Sequence, residues 1–187
     1  RHGTGIFAAN KAFRYNGEKI IPLPDKNLGS VKLDDLVGYE AQKSELKANT
    51  EAFIAGKPAN NVLLYGDGGT GKSTSVKALL NEYADEGLRV IELYKHQFRD
   101  IQKITDGLRR RNYKFIIFID DLSFEENESE YKYLKAIIEG GIEMRPDNVL
   151  IYATSNRRHI VREIWKDRDD MEHNGDIHRS DTVEEKL

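Results

Sequence analysis

Short runs of apolar residues alternate along the chain with stretches in which apolar positions recur every three or four residues. The continuous runs are typical of strands that are buried on both faces of a parallel sheet, and the spaced positions are typical of amphipathic helices. This alternation predicts an α/β protein with a doubly wound, mostly parallel sheet and helices on both faces. The predicted strands cover residues 61–65, 89–94, 115–119 and 148–153.

The predicted helices precede and separate these strands. The first covers residues 39–55 and is closed by Gly56, because glycine readily adopts the left-handed conformation that ends a helix. The second follows the first strand, and Gly87 stands behind it where another such cap is expected. Helical patterns mark residues 76–84, 98–108 and 131–138, and a short helix is predicted over residues 159–165.

The two ends of the chain differ from its centre. Residues 1–30 contain turn signals and two prolines that interrupt regular structure. We expect an extended arm that packs on the main domain or reaches away from it, with a strand fragment at residues 20–21. Residues 31–166 carry the predicted core domain. Residues 167–187 are mostly charged and polar, which predicts a mobile segment or one that a partner orders.

Composition and charge restrict the class of protein. Charged residues make up 33% of the chain and hydrophobic residues 39%, which is ordinary for a soluble domain. The net charge of -3 gives no overall attraction to nucleic acid or to a membrane surface. With no cysteine, no membrane-length apolar run and no signal peptide, a cytoplasmic protein is expected. The start at Arg1 and the stop within a charged stretch are compatible with an excerpt from a longer chain.

Residues 66–73 join the first strand to the next helix and fit the pattern G-x-x-x-x-G-K-[ST] at every fixed position. Glycines let the backbone turn with its N–H groups pointing inward, and the helix directs its positive dipole end to the same point. Lys72 is predicted to hold the β- and γ-phosphates, and the Ser73 hydroxyl to bind Mg²⁺. The alternative, a glycine turn with a solvated lysine, is disfavoured by the flanking strand and helix. The predicted nucleotide-binding residues here are Asp67, Gly68, Gly69, Thr70, Gly71, Lys72, Ser73 and Thr74.

Further polar groups follow two other predicted strands, and parallel sheets bind ligands beyond the carboxyl ends of their strands. Asp120 ends the third strand and is predicted to bind Mg²⁺ directly or through water. Asp121 is the candidate base that activates the attacking water. Asn156 closes the fourth strand, where its amide can sense the γ-phosphate or orient the water. The alternative for Asp120 and Asp121 is a carboxylate pair that caps the next helix or turn. The alternative for Asn156 is an Asx-turn at the strand end.

In this order the pieces resemble the AAA+ ATPases over residues 32–165. In that resemblance, residues 66–73 are the Walker A motif, residues 115–121 are the Walker B motif, and Asn156 is sensor 1. The resemblance implies that the chain binds ATP or ADP with Mg²⁺ and hydrolyses ATP. It implies no particular substrate.

A narrower resemblance rests on short strings of residues. Leu36-Val37-Gly38-Tyr39 looks like the AAA+ segment that frames the adenine, which adds Val37 and Gly38 to the candidate site. Three other strings are similar to the uncharacterised bacterial family called domain of unknown function 815. They are NNVLLYG at 60–66, DDLSF at 120–124 and YATSNRRH at 152–159.

Two features depart from the common AAA+ pattern. Walker B carries Asp120-Asp121 where many members carry Asp-Glu. The two-aspartate form is similar to the helicase-loader and replication-initiator branch. It implies that the shorter carboxylate of Asp121 positions the attacking water differently. The family's fifth strand, arginine finger and helical lid normally follow where this sequence stops, so no residue is assigned to the finger or to sensor 2. We therefore expect the isolated chain to hydrolyse ATP weakly.

The leading interpretation is an ATPase domain that couples Mg-ATP binding and hydrolysis to remodelling or movement of an unknown macromolecular partner. One alternative is a helicase-loader-like ATPase associated with nucleic acid, supported only by the two-aspartate Walker B. Another is a P-loop phosphotransferase, although the short connection at residues 95–97 offers no acceptor site. A homo-oligomer is left open, because an arginine of a neighbouring subunit could complete the site. Apart from Mg²⁺, no metal is predicted, because the histidines lack metal-ligand spacing.

Overall fold

The computed structural model describes residues 5–66, 71–122, 129–138 and 146–156. The strands in these residues are β1 (Ala12–Tyr15), β2 (Ile20–Pro22), β3 (Val62–Tyr65), β4 (Leu88–Leu93), β5 (Lys114–Ile119) and β6 (Val149–Ser155). The α-helices are α1 (Ile6–Ala9), α2 (Glu40–Ile54), α3 (Lys72–Tyr83), α4 (Ile101–Leu108) and α5 (Ser129–Ile138). Short 3₁₀ helices cover Asp25–Asn27, Leu33–Asp35, Ala84–Glu86 and Lys95–Asp100. None of the described helices is both long enough and apolar enough to span a bilayer.

The described strands form one sheet in the order β2-β1-β4-β5-β6-β3. Only β1 and β2 pair antiparallel, and every other neighbouring pair is parallel. The central strand β5 has the sequence KFIIFI, the continuous apolar run that a strand covered on both faces requires. Phe115, Ile116, Ile117 and Ile119 are fully buried. The predicted mostly parallel α/β fold is confirmed.

Alternate residues of β5 belong to two separate apolar clusters, because successive side chains of a strand point to opposite faces. Ile117 lies in a cluster with residues of α1, α4 and α5. Ile116 lies in a second cluster with residues of α2 and α3. The described helices therefore cover both faces of the sheet.

The four predicted strands agree with the structure to within two residues at each end. The helix predicted over residues 98–108 begins as the 3₁₀ segment Lys95–Asp100 and continues as α4. Gly87 has a φ of 95° and follows the helical residues as the pattern predicted. The short helix predicted over residues 159–165 and the charged segment 167–187 lie outside the described residues.

Strand β1 was not predicted from the hydrophobic pattern. An exposed arginine interrupts its four residues, so it lacks the continuous apolar run of β3 and β5. It pairs with β4 through residues such as Phe13, which is fully buried. The predicted strand fragment at residues 20–21 lies in β2, the antiparallel neighbour of β1. Two strands within the predicted arm thus continue the main sheet, and the division of the chain at residue 30 stays a prediction.

The buried side chain of Arg89 fastens the segment before β1 to the sheet. Its Nε donates to the carbonyl of Phe7 at 2.6 Å, and its Nη1 donates to the carbonyls of Ala84 and Leu88. The guanidinium also lies 4.8 Å from the ring centroid of Tyr113, a cation–π contact. Burial lowers the pKa of Arg89 from its usual value, because a desolvated cation is less stable. Backbone carbonyls and an aromatic ring therefore replace the water that this charge has lost.

Candidate functional site

The loop predicted to bind phosphate ends where α3 begins. Gly71 precedes the helix with a φ of 83°, a left-handed conformation in which a side chain would be strained. Lys72 is the first helical residue and is only 7% exposed, and its Nζ donates to the carbonyl of Gly66 at 3.2 Å. The lysine thus reaches back to the first glycine of the pattern. Of the predicted residues, Thr74 lies half-buried in the first turn, whereas Asp67, Gly68, Gly69 and Thr70 lie outside the described residues.

The carboxylate of Asp120 joins this helix to the end of the sheet. Its Oδ1 accepts a hydrogen bond of 2.7 Å from the hydroxyl of Ser73 in α3. The same oxygen accepts a bond of 2.5 Å from the hydroxyl of Thr154 in β6. Carboxylate and hydroxyl oxygens are the hard ligands that Mg²⁺ prefers, so the residue types that meet here fit the predicted metal.

Asp121 follows in an unusual backbone conformation, with a φ of 56°. Its amide donates to Oγ1 of Thr154 at 2.9 Å, and the next amide, of Leu122, donates to the Thr154 carbonyl at 2.7 Å. Oδ1 of Asp121 lies 3.4 Å from Nδ2 of Asn156, a long hydrogen bond. The structure therefore brings the candidate base and the candidate sensor together, although they are 35 residues apart in the chain.

The end of β6 also contacts Gly66, the first residue of the predicted phosphate-binding pattern. The carbonyl of Ser155 accepts a hydrogen bond of 3.2 Å from the amide of Gly66. Its side-chain hydroxyl donates to the carbonyl of Leu122 at 2.8 Å. Ser155 is fully buried and lies opposite Tyr65 in the β3–β6 pairing. The ends of β3, β5 and β6 are thereby tied into one rim, as ligand sites of parallel sheets require.

The segment that resembles the adenine frame lies before α2. Gly38 and Tyr39 both adopt left-handed conformations, with φ values of 87° and 54°, and Tyr39 is the N-cap of α2. Val37 is 97% exposed. The preceding residues are tied to α3, because Nδ2 of Asn81 donates to the carbonyl of Val31 at 2.9 Å. Leu33 and Leu36 also pack in the apolar cluster to which α3 contributes.

Thr154 and Ser155 are the residues whose contacts sequence reasoning missed. Of the polar residues at the end of β6, only Asn156 was assigned a role from the sequence. A signal was present, because two hydroxyl side chains end an apolar strand beside a second strand that ends in Asp120. Their bonds depend on the register in which Ile119 faces Ala153, and a single sequence does not contain that register.

Known proteins resemble this chain in sequence. The model of a family described as "Protein of unknown function (DUF815)" matches residues 8–187. The replication factor C large subunit of Thermococcus kodakarensis is 40% identical over 146 residues, which is 71% of this chain and 27% of that protein. The corresponding subunit of Staphylothermus marinus is 36% identical over 78 residues, 40% of this chain and 18% of the relative. The chain thus spans about a quarter or less of the length of these curated relatives.

Solved structures resemble it in fold. The crystal structure of DnaI matches with a TM-score of 0.52 and 17% identity, covering 83% of this chain and 81% of that one. The structure of PCH-2 from C. elegans matches with a TM-score of 0.51 and 20% identity, covering 78% and 44%. These likenesses confirm the P-loop fold of AAA+ type.

Proposed function

The chain belongs to the DUF815 family, whose description names no activity, and we propose that it is an AAA+ domain that binds and hydrolyses ATP with Mg²⁺. The observation that carries the proposal is the hydrogen bond of 2.7 Å between Ser73 and Asp120. It joins the last residue of the phosphate-binding pattern to the carboxylate that follows β5. In P-loop nucleoside triphosphatases, a hydroxyl and an aspartate in these places hold the cation on the β- and γ-phosphates.

The polar residues predicted from the sequence each have a role in this proposal. The backbone N–H groups of residues 67–71 and the side chain of Thr74 are assigned to the phosphates, and Lys72 adds its positive charge. Ser73 and Asp120 would hold Mg²⁺, which when bound neutralises charge on the phosphate oxygens. The carboxylate of Asp121 accepts a proton from the attacking water. The Asn156 amide, 3.4 Å from that carboxylate, holds it in place and senses the γ-phosphate.

The base of the nucleotide is proposed to lie against Val37 and Gly38. An almost fully exposed valine leaves apolar surface that adenine can cover. Gly38 lacks a Cβ, so the backbone can approach a planar ring closely. The bond from Asn81 to Val31 holds the residues that precede this segment beside α3, the helix that also carries Lys72 and Ser73.

The work done by hydrolysis is proposed to be remodelling or movement of a macromolecular partner. Within this proposal, a nucleic-acid-associated role is the second candidate, because the chain is 40% identical to part of a replication factor C large subunit. The overall charge of -3 does not favour it. Steady-state ATPase assays with and without single-stranded DNA separate the two, since only a nucleic-acid-linked enzyme should be stimulated.

Nucleotide binding by Lys72→Ala tests the central proposal. Losing a hydrogen bond to a charged group costs about 1.5–3 kcal/mol, so affinity for ATP with Mg²⁺ should fall by about 10- to 100-fold. Lys77→Ala is the matched control, because Lys77 is a half-buried lysine of the same helix, one that the phosphate-binding pattern does not include. Calorimetric titration that gives equal affinity for the wild type and Lys72→Ala would show that the loop does not bind phosphate as proposed.

A further inference from the structure

One buried hydroxyl group links the two aspartates of the site. Thr154 is 2% exposed, and its Oγ1 donates to Oδ1 of Asp120 and accepts the amide N–H of Asp121. A threonine hydroxyl carries a single proton, and an ionised carboxylate accepts but cannot donate. The directions of both bonds are therefore fixed: the proton goes to Asp120, and a lone pair receives the Asp121 amide.

The backbone around Asp121 needs this support. A non-glycine residue in the left-handed region costs about 1 kcal/mol or more and persists only where its surroundings hold it. With a φ of 56°, Asp121 is such a residue. Strand β6 holds the backbone on its far side as well, through the Thr154 carbonyl and the Ser155 hydroxyl, which bond the amide and the carbonyl of Leu122.

We propose that Thr154 is a positioning residue of the ATPase site, which fixes the carboxylate of Asp120 for Mg²⁺ and the backbone of Asp121 for the attacking water. The proposal rests on the ATPase function proposed above. Thr154 itself touches neither nucleotide nor water in this role. It acts as groups behind a metal ligand commonly do, by orienting the ligand with a hydrogen bond.

A second buried threonine provides a matched control. Thr50 in α2 is fully buried, and its hydroxyl bonds the carbonyl of Leu46 and the hydroxyl of Tyr152, each at 2.8 Å. Thr50→Val and Thr154→Val remove the same group from similarly buried positions, but the hydroxyl of Thr50 contacts neither aspartate. A loss of stability is expected in both variants, so an effect that appears only in Thr154→Val belongs to the site.

The first measurement needs no nucleotide. Hydrogen exchange of the Asp121 amide should become about tenfold faster in Thr154→Val, because its hydrogen-bond acceptor is lost. Thr154→Ser keeps the hydroxyl and should retain protection, and Thr50→Val should leave this amide unchanged. Equal protection in the wild type and Thr154→Val would show that the hydroxyl does not hold Asp121, and it would overturn the proposal.

The second measurement is the Mg²⁺ dependence of ATP binding and turnover. Loss of a group that orients a metal ligand typically costs 10- to 100-fold in metal affinity or activity. The Mg²⁺ concentration for half-maximal turnover should be about 10- to 100-fold higher in Thr154→Val than in the wild type. Its kcat should be lower, and its KM for ATP at saturating Mg²⁺ should be little changed. Thr154→Ser should restore both values, and Thr50→Val should resemble the wild type.

The outcomes distinguish this proposal from the function on which it rests. A wild-type chain that binds no nucleotide would overturn the ATPase function and the role of Thr154 together. A wild type that binds and hydrolyses ATP, with Thr154→Val and Thr50→Val alike in Mg²⁺ dependence, would overturn the role of Thr154 alone.

Discussion

The hydroxyl of Ser73 donates a hydrogen bond of 2.7 Å to the carboxylate of Asp120, although 47 residues separate them in the chain. Ser73 lies in the first turn of α3 and Asp120 follows the central strand, so the bond holds the start of that helix against the end of the sheet. Two oxygen atoms that suit a divalent cation meet at this point. Asp120 takes part in this contact and Asp121 does not, so we expect different effects from substituting the two aspartates.

Asparagine substitutions should separate the roles of the two aspartates. Asp120→Asn should weaken Mg²⁺-dependent nucleotide binding, because an amide is a poorer ligand than a carboxylate. Asp121→Asn should bind Mg-ATP like the wild type but turn it over about 10²–10⁴-fold more slowly, the usual effect of losing a general base. Titration calorimetry and single-turnover hydrolysis measure the two effects. If Asp121→Asn hydrolyses ATP as fast as the wild type, the base lies elsewhere.

Glycine should be favoured over alanine at position 121. Both substitutions remove the carboxylate, so they differ only in the Cβ atom that is strained at a φ of 56°. Asp121→Gly should therefore be about 1 kcal/mol more stable than Asp121→Ala. The same pair at Asp106, an exposed residue of α4, should give the opposite order, because glycine weakens a helix by about 1 kcal/mol. Urea unfolding measures both differences, and the same order at both positions would contradict the strain.

Turnover per molecule should rise with protein concentration. The transition state of phosphoryl transfer spreads charge that positioned cations must meet. The resemblance to AAA+ proteins assigns no residue of this chain to an arginine finger, and a finger is worth about 10³–10⁵ in rate. Self-association that supplies an arginine should therefore raise kcat and leave nucleotide affinity nearly unchanged. Fast hydrolysis independent of concentration would mean that one molecule already contains the catalytic cation.

Alkaline pH should destabilise the fold partly through Tyr152. Its hydroxyl bonds Thr50 and Asn49 inside the protein, and burial raises its pKa from 10.0 to about 12. Below pH 10 the Tyr152 hydroxyl is neutral in both the folded and the unfolded protein, whereas between pH 10 and 12 it ionises only in the unfolded protein. This tyrosine therefore contributes stability that is present below pH 10 and lost as pH rises to 12, about 2–3 kcal/mol in total.

Tyr152→Phe is the variant that checks this pH dependence. It should be less stable than the wild type at neutral pH, because Thr50 and Asn49 lose a hydrogen-bond partner. Its stability should then fall less steeply between pH 10 and 12. Parallel curves of unfolding free energy against pH for the two proteins would contradict the assignment to Tyr152.

The sequence predicted the elements that have a strong local signal. Strand β5 has an uninterrupted apolar run, and α3 follows a loop whose glycines and lysine occupy fixed positions, so both were placed without tertiary information. Strand β1 has four residues, including the exposed Arg14, and it forms a strand through its pairing with β2 and β4. Its existence depends on long-range pairing rather than on its own pattern.

The candidate site also has features that were predictable from the sequence and features that were not. The residue types of Ser73 and Asp120 pointed to a metal-ligating role before any geometry was known. The backbone conformation of Asp121 was not predictable, because a non-glycine residue rarely has a positive φ. The two bonds of Thr154 were also beyond sequence reasoning, since they require the register of β5 against β6 and the position of that left-handed residue.

The pairing of β1 with β4 determines how this domain can be shortened for laboratory production. A chain cut at residue 31 would lose both β1 and β2, so β4 would become an unpaired outer edge, open to pairing with other molecules. The same cut would remove the buried ring of Phe13 and the carbonyl of Phe7 that receives the Arg89 side chain. Such a product should collect in inclusion bodies. An affinity tag or a cleavage site inserted between Phe7 and Pro22 should not be tolerated, because it would interrupt the same contacts.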